Sequence, residues 1–283
     1  RWQDMNKPFY GWVVVGSAFL VLFLTYGVQY SFGVFVPPML DDLGWQRASL
    51  GGAFSLYSMV YMGFSLVSGR LTDTLGPRRV IVFGGVMLGL GIMATSQVSA
   101  QWQLYLYYGI VAALGMSTAY IPCNMTVVRW FNRQRGLALG IVSCGASCGI
   151  LVVPTLSSYM ITLTNWRVSL LTLGASMFVL IIIAARFMVR DPELLGLQTD
   201  GKETLTTDEN LGLSEVLNEA TGWTLTEARS TLSFWLFLLT FAVILLTTTI
   251  PFVHVPVFAR DIGLSAIGGS MAVSISGLFA LIG

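Results

Sequence analysis

Gly69-Arg70-Leu71-Thr72-Asp73-Thr74-Leu75-Gly76-Pro77-Arg78-Arg79 is the stretch that decides the fold of this chain. It places three arginines and one aspartate between two apolar stretches, residues 48–69 and 80–98, and neither apolar stretch contains a charged residue. Each is close to the roughly 20 residues that a helix needs to cross the hydrocarbon core of a bilayer. The pattern therefore predicts a charged turn between two membrane-spanning helices.

The composition of the 283-residue chain is that of a membrane protein. Hydrophobic residues make up 55% and charged residues 10%, whereas soluble domains carry about 25% charged residues. The net charge of +1 gives no reason to expect a nucleic-acid partner. We predict an all-α bundle that is embedded in a lipid bilayer. Eight apolar stretches are long enough to span it, and they cover residues 10–36, 48–69, 80–98, 102–128, 136–162, 166–187, 232–257 and 264–283.

Lysine and arginine are distributed unevenly around these stretches. If the 69–79 turn is cytoplasmic, twelve of the fifteen basic residues lie on that side, and only Arg47, Arg167 and Arg260 lie on the other. The cytoplasmic loops of membrane proteins carry the excess of basic residues. We therefore predict a multi-pass protein of the cell inner (plasma) membrane with a cytoplasmic N-terminus.

The charge pattern predicts three parts: a six-helix bundle over 1–187, an acidic cytoplasmic loop over 188–231, and the start of a second bundle over 232–283. The loop holds nine acidic residues against three basic ones. Its composition is typical of a flexible linker, and its second half has enough apolar residues to form, alternatively, a helix on the membrane surface.

A short motif recurs in the two bundles. Asp42-Leu43-Gly44 precedes the second apolar stretch, and Asp261-Ile262-Gly263 precedes the eighth. This repeat predicts that the architecture starts again after six helices. A complete second bundle then requires four more helices after Gly283.

The 69–79 stretch resembles the signature between helices 2 and 3 of the major facilitator superfamily. The matching positions are Gly69, Leu71, Asp73, Gly76, Arg78 and Arg79. The resemblance implies two six-helix halves that expose a central site to each side of the membrane in turn. It also implies that these residues form a latch on the cytoplasmic side, in which Asp73 pairs with arginines or helix N-termini.

Two further stretches resemble monocarboxylate transporters of that superfamily. Residues 130–140, Trp-Phe-Asn-Arg-Gln-Arg-Gly-Leu-Ala-Leu-Gly, resemble their helix 4–5 signature, and Tyr10-Gly11-Trp12-Val13-Val14-Val15 is similar to the first helix of bacterial monocarboxylate and oxalate–formate carriers. Lys7 and Tyr30 depart from the animal members, which have an acidic residue and a lysine there, so a proton scheme built on that lysine does not transfer. Three basic residues in or next to the 130–140 stretch are assigned to the latch, and they are Arg129, Arg133 and Arg135.

Glycine spacing predicts close packing of the fifth helix. Gly140, Gly145 and Gly149, with Ser143 and Ala146, provide small side chains, which membrane helices use to approach one another closely.

Polar side chains within apolar helices mark candidate substrate contacts, because such side chains are costly in lipid. Spacing places three candidates on one face of helix 1 and two on one face of helix 4. The candidates are Tyr26, Gln29, Tyr30, Tyr120, Asn124 and Ser143. Their hydroxyl and amide groups suit a carboxylate. Packing between helices is the alternative for the tyrosines and Asn124, and a hydrogen bond to its own helix is the alternative for Ser143.

We predict a secondary active transporter that moves small monocarboxylates such as lactate or pyruvate with protons, acting as a monomer. The alternatives are an oxalate–formate type anion antiporter, a drug exporter, and a non-transporting membrane receptor on the same fold. We recognise no nucleophile–base pair, metal-ligand cluster or phosphate-binding loop, so we expect no enzyme activity, cofactor or metal. Related transporters carry an arginine late in helix 8, which corresponds to a position just after Gly283.

Overall fold

The computed structural model describes residues 9–200, 229–240 and 261–263, together with 227, 243, 258, 259, 268, 271, 275 and 278. The chain divides into two units, one from residues 1–200 and 253–283 and the other from 201–252. The described part of the first unit contains six helices that are long and apolar enough to cross a membrane: α1 (Tyr10–Leu43), α2 (Arg47–Leu75), α3 (Pro77–Thr95), α4 (Gln101–Trp130), α5 (Arg135–Leu163) and α6 (Trp166–Phe187).

The charged stretch at 69–79 is more helical than the turn that the sequence predicts. Helix α2 continues through it to Leu75, and α3 begins at Pro77. The connection is Gly76 alone, whose φ of 83° favours glycine. Pro77 is the first residue of α3, where its fixed φ fits a helix and its missing N–H costs nothing. The charged residues are thus carried on helix ends that extend past the apolar segments. We call this side of the bundle the turn face and the opposite side the far face.

Close backbone contact holds the helices in pairs. Helix α1 packs mainly on α5, and α3 packs mainly on α6. A Cβ built on Gly145 of α5 would lie 2.5 Å from the carbonyl oxygen of Phe19 in α1, and one on Gly174 of α6 would lie 2.7 Å from the backbone nitrogen of Met93 in α3. The absence of a side chain therefore sets how near these helices come, as small residues do in membrane bundles.

Helix α4 is irregular along its length. Residues Tyr105–Ala112 are π-helical, and the regular hydrogen bonding is interrupted at residues 117–119 before it resumes at Tyr120. Pro122 accounts for this interruption, because proline has no N–H to offer the carbonyl four residues earlier and its ring crowds that carbonyl. The break reorients the last part of α4, since Ser117 is buried while Tyr120, three residues later, is 45% exposed.

The start of the acidic loop differs from the flexible linker that its composition predicts. Pro192–Leu195 form a 3-10 helix, and Pro192 is buried. The indole Nε1 of Trp130 donates to the carbonyl oxygen of Val189 at 2.8 Å. Local hydrophobic and hydrogen-bonding contacts thus anchor residues 188–200 on the turn face. Most of the remaining loop, 201–231, and of the second bundle, 232–283, lies outside the described residues, so the proposed boundaries of those parts stay predictions.

Candidate functional site

Four tyrosines from three helices meet in the membrane-spanning part of the bundle. Tyr26 lies with its ring centroid 6.3 Å from that of Tyr30 in α1 and 6.3 Å from that of Tyr120 in α4. Tyr61 of α2 lies close enough to Tyr26 for the two hydroxyl groups to interact electrostatically. We call Tyr26, Tyr30, Tyr61 and Tyr120 the tyrosine cluster. It places several phenol hydroxyls, which both donate and accept hydrogen bonds, at one place in the bundle.

A layer of buried rings supports this cluster. Tyr108 of α4 stacks at 4.3 Å on Phe32 of α1 and at 4.8 Å on Tyr57 of α2. Tyr57 is in turn 6.5 Å from Tyr61 of the cluster. Stacked rings bury large apolar areas and prefer defined geometries, so this layer fixes the positions of α1, α2 and α4 next to the tyrosine cluster.

The structure gives different surroundings to the other three candidates. Gln29 has a buried Oε1 for which the described part of the chain supplies no hydrogen-bond partner. The Asn124 amide donates to the carbonyl oxygen of Tyr120 on its own helix at 2.9 Å. Ser143 lies on an exposed side of α5. It is not part of the contacts between the tyrosine rings that define the cluster. Gln29 therefore has an unsatisfied acceptor, whereas Asn124 is bonded locally.

The turn face holds a second group of polar residues, centred on Arg129 at the end of α4. Its guanidinium donates to Oδ1 of Asp73 in α2 and to Oδ1 of Asp191 after α6, each at 3.1 Å. Arg190 lies 3.3 Å from the other oxygen of Asp191. We call Asp73, Arg129 and Asp191 the carboxylate clamp. One cation thereby links three segments that are far apart in the sequence.

The remaining latch residues are placed differently. Gly69 lies within α2 and Gly76 forms the turn. The arginines that the sequence assigns to the latch beyond Arg129 are exposed, and in the described part of the structure none of them forms an ion pair; they are Arg78, Arg79, Arg133 and Arg135. Of the arginines proposed as partners for Asp73, the structure selects Arg129.

Asp200 closes the turn between α4 and α5. Its carboxylate accepts hydrogen bonds from the backbone N–H groups of Asn132, Arg133 and Gln134, the last at 2.8 Å. These groups precede or begin α5, where N–H donors lack helical partners and a negative charge is favoured. The Arg-x-Arg stretch thus contributes backbone donors for a carboxylate from the acidic loop.

The Trp130-Phe131 pair has a packing role on the same face. Phe9 and Tyr10, at the start of α1, lie 5.9 Å and 5.4 Å from the ring of Trp130, and Trp12 lies 5.1 Å from Phe131. Trp130 is fully buried. The aromatic residues of the two stretches that resemble monocarboxylate transporters are therefore in contact with each other.

Three residues of these sites were not among the sequence candidates. They are Tyr61 of α2 and the loop residues Asp191 and Asp200. The spacing of Tyr57 and Tyr61 on α2 was visible in the sequence, but their approach to helix 1 depends on tertiary structure. No local pattern marks Asp191 or Asp200 as partners of α4.

Comparison with curated proteins places the chain among transporters. It is 30% identical over 268 residues to the oxalate:formate antiporter of Oxalobacter formigenes, covering 95% of this chain and 60% of the antiporter. It is 33% identical over 166 residues to monocarboxylate transporter 9 of Gallus gallus, covering 59% of this chain and 33% of that protein. Monocarboxylate transporter 13 of Rattus norvegicus is 27% identical and covers 97% of this chain and 59% of its own length. The chain thus spans about 60% or less of these relatives.

Solved structures share the fold. A bacterial homologue of the human lysosomal transporter Spinster, in an inward-facing and unoccupied conformation, matches with a TM-score of 0.72 and 15% identity, covering 98% of this chain and 61% of that one. The peptide transporter POT in complex with sulfate matches with a TM-score of 0.64 and 13% identity, over 99% and 67% of the two chains. The model of the Major Facilitator Superfamily matches residues 18–283. With its membrane-length helices and these transporter relatives, the chain is a multi-pass membrane protein that belongs to the Major Facilitator Superfamily.

Proposed function

We propose that the chain is part of a carrier that moves small monocarboxylates, such as lactate or pyruvate, together with protons. The site is exposed to each side of the membrane in turn, the turn face is cytoplasmic, and the protein works as a monomer in the plasma membrane. The observation that carries this proposal is the tyrosine cluster, which gathers hydrogen-bonding hydroxyls where α1, α2 and α4 meet. The relation to monocarboxylate transporters supports the same class of cargo.

The chemistry of the cluster fits a small carboxylate. Phenol hydroxyls donate to carboxylate oxygens, and hydrogen bonds to a charged group are stronger than neutral ones. The Gln29 amide can present its N–H donors as well as its oxygen, and its buried oxygen needs a donor such as water or a protonated acid. The cluster residues themselves carry no fixed charge, so we assign the balancing positive charge to the second half of the carrier.

An oxalate–formate type antiporter is the second candidate. The relative that covers 95% of this chain exchanges two such anions by its name. Both candidates use the same site and differ in what returns the carrier to its starting conformation.

Uptake into proteoliposomes separates the candidates. We expect the purified full-length protein to accumulate labelled lactate when the outside is more acidic than the lumen, and to lose this accumulation when a protonophore removes the gradient. Uptake that requires a carboxylate inside and ignores the proton gradient would support antiport. Binding of lactate without any flux would support a receptor instead.

Removing one hydroxyl tests the site. We expect Tyr26→Phe to raise the KM for the transported carboxylate about tenfold with little change in maximal rate, because a hydrogen bond to a charged group contributes about 1.5 kcal/mol. The matched control is Tyr159→Phe, which makes the same change at an exposed position on α5 and is expected to leave KM unchanged. An unchanged KM for Tyr26→Phe would mean that the cluster packs helices and does not bind cargo.

A further inference from the structure

We propose that Arg47 and Asp261 form a lock that holds the far face closed during one part of the transport cycle. The lock rests on alternating access in the proposed function, but it makes no assumption about the cargo. The Arg47 guanidinium donates through both Nη atoms to both oxygens of Asp261, at 2.7 and 2.8 Å. Such two-pronged pairing fixes geometry as well as charge. Arg47 begins α2 in the first half, and Asp261 lies in the second half that the repeat defines.

Both charges stand at helix ends that disfavour them. Arg47 is the first residue of α2, where the helix dipole is positive. Asp261 follows helical residues Phe258 and Ala259 and directly precedes the turn at Ile262 and Gly263, so it lies at the negative end of its helix. Each charged side chain is therefore stabilised by its partner and not by the dipole of its own helix. Because each charge offsets an unfavourable helix end, we infer that the pair is more than a chance surface contact.

The internal repeat supports this interpretation. In both copies an aspartate stands two residues before a glycine with positive φ, 64° at Gly44 and 85° at Gly263. Asp42, the first copy, pairs at 3.1 Å with Arg167 at the start of α6, within the same half. Asp261, the second copy, pairs instead with an arginine of the first half. The same local device is thus used once within a bundle and once between bundles.

The exposure of the pair suits a lock that must open. The side chains of Arg47 and Asp261 are 61% and 45% exposed. Water and ions compete effectively with an ion pair at such positions, so each exposed pair contributes little to stability. The contact can therefore form and break during a transport cycle.

A distance measurement between spin labels tests the lock without any substrate. The labels are placed on cysteines at Gln46 and Ile262, in the full-length protein with its native cysteines replaced, in proteoliposomes. We expect Arg47→Ala and Asp261→Ala each to raise the fraction of long distances about fivefold. The double variant Arg47→Asp with Asp261→Arg is expected to return that fraction to the parent value.

The control is Asp42→Ala, which breaks the equivalent ion pair inside one half and is expected to leave the distances unchanged. An unchanged distribution in both single variants, or a double variant that opens as far as they do, overturns the proposal. Because no cargo is present, either result stands whether or not the protein carries monocarboxylates.

Discussion

Replacing Gly149 with alanine is expected to destabilise the bundle by about 3 kcal/mol, because overpacking against rigid neighbours has costs of this order. A Cβ at this position would overlap the carbonyl oxygen of Phe23 and lie 3.0 Å from the backbone nitrogen of Gly27. Both neighbours belong to the backbone of α1, so no side chain can rotate away. Helix α1 must instead move off α5, its main packing partner. Thermal unfolding of the purified protein in detergent measures the loss, together with the yield of monodisperse protein.

The matched control is Gly140→Ala on the same helix. A Cβ on Gly140 meets no atom within 4 Å, and alanine is the better helix former by about 1 kcal/mol. We expect this variant to be as stable as the parent or slightly more stable. Equal destabilisation by the two substitutions would show that general glycine effects, and not the contact with α1, set the stability.

Gly140 and Gly149 also show which part of the packing of α5 the sequence predicts and which part it does not. The small-residue surface of helix 5 was predicted from Gly140, Gly145 and Gly149, and the last two do contact α1 closely. A helix turns about 100° per residue, so Gly149 lies within about 40° of Gly145, whereas Gly140 lies about 140° away. The sequence groups all three glycines, whereas the spacing of four residues between Gly145 and Gly149 is what distinguishes the pair in contact with α1.

Three of the four residues of the tyrosine cluster, all but Tyr61, are among the sequence candidates. Tyr26 and Tyr30 are one turn apart, and that spacing alone places them on one face of α1. Tyr120 is also a sequence candidate, on helix 4, but its contact with Tyr26 depends on how α4 packs against α1. Tyr61 required the position of α2 against α1. Local periodicity gives the residues on one helix, and only the packing of helices gives the site.

The contacts at the turn face join residues that are far apart in the sequence, so local patterns do not predict them. The signature at 69–79 implies that Asp73 pairs with arginines or helix N-termini, and in the structure Asp73 lies 3.1 Å from Arg129. Its partner Arg129 lies 56 residues away in the sequence. The other carboxylate that Arg129 contacts belongs to Asp191, which lies in a stretch whose composition suggests a solvated linker. Composition shows how many charges a stretch carries but not which residues they contact. The sequence therefore does not show that Asp191 and Asp200 contact the end of α4 and the turn before α5.

Replacing Arg129 with methionine is expected to reduce the transport rate at least tenfold. The carboxylates of Asp73 and Asp191 both lie 3.1 Å from this guanidinium, and without it two negative charges face each other at the turn face. Removing one partner leaves the other charges uncompensated, and we discount the cost to about 2 kcal/mol because the side chains are 31% to 54% exposed. A shift of that size between the two conformations changes their ratio about thirtyfold. Uptake in proteoliposomes measures the loss.

Two further variants show whether transport requires the carboxylate clamp itself or only positive charge at the turn face. Arg133→Met removes an exposed arginine of the same stretch that forms no ion pair in the described structure, and we expect nearly full transport. Adding Asp73→Asn and Asp191→Asn to Arg129→Met removes the uncompensated charges, and we expect it to recover stability more than transport, because the carboxylates no longer repel but the clamp is still absent. If the triple variant transports as well as the parent, charge balance alone is what the turn face requires, and the three linked segments need no clamp to cycle.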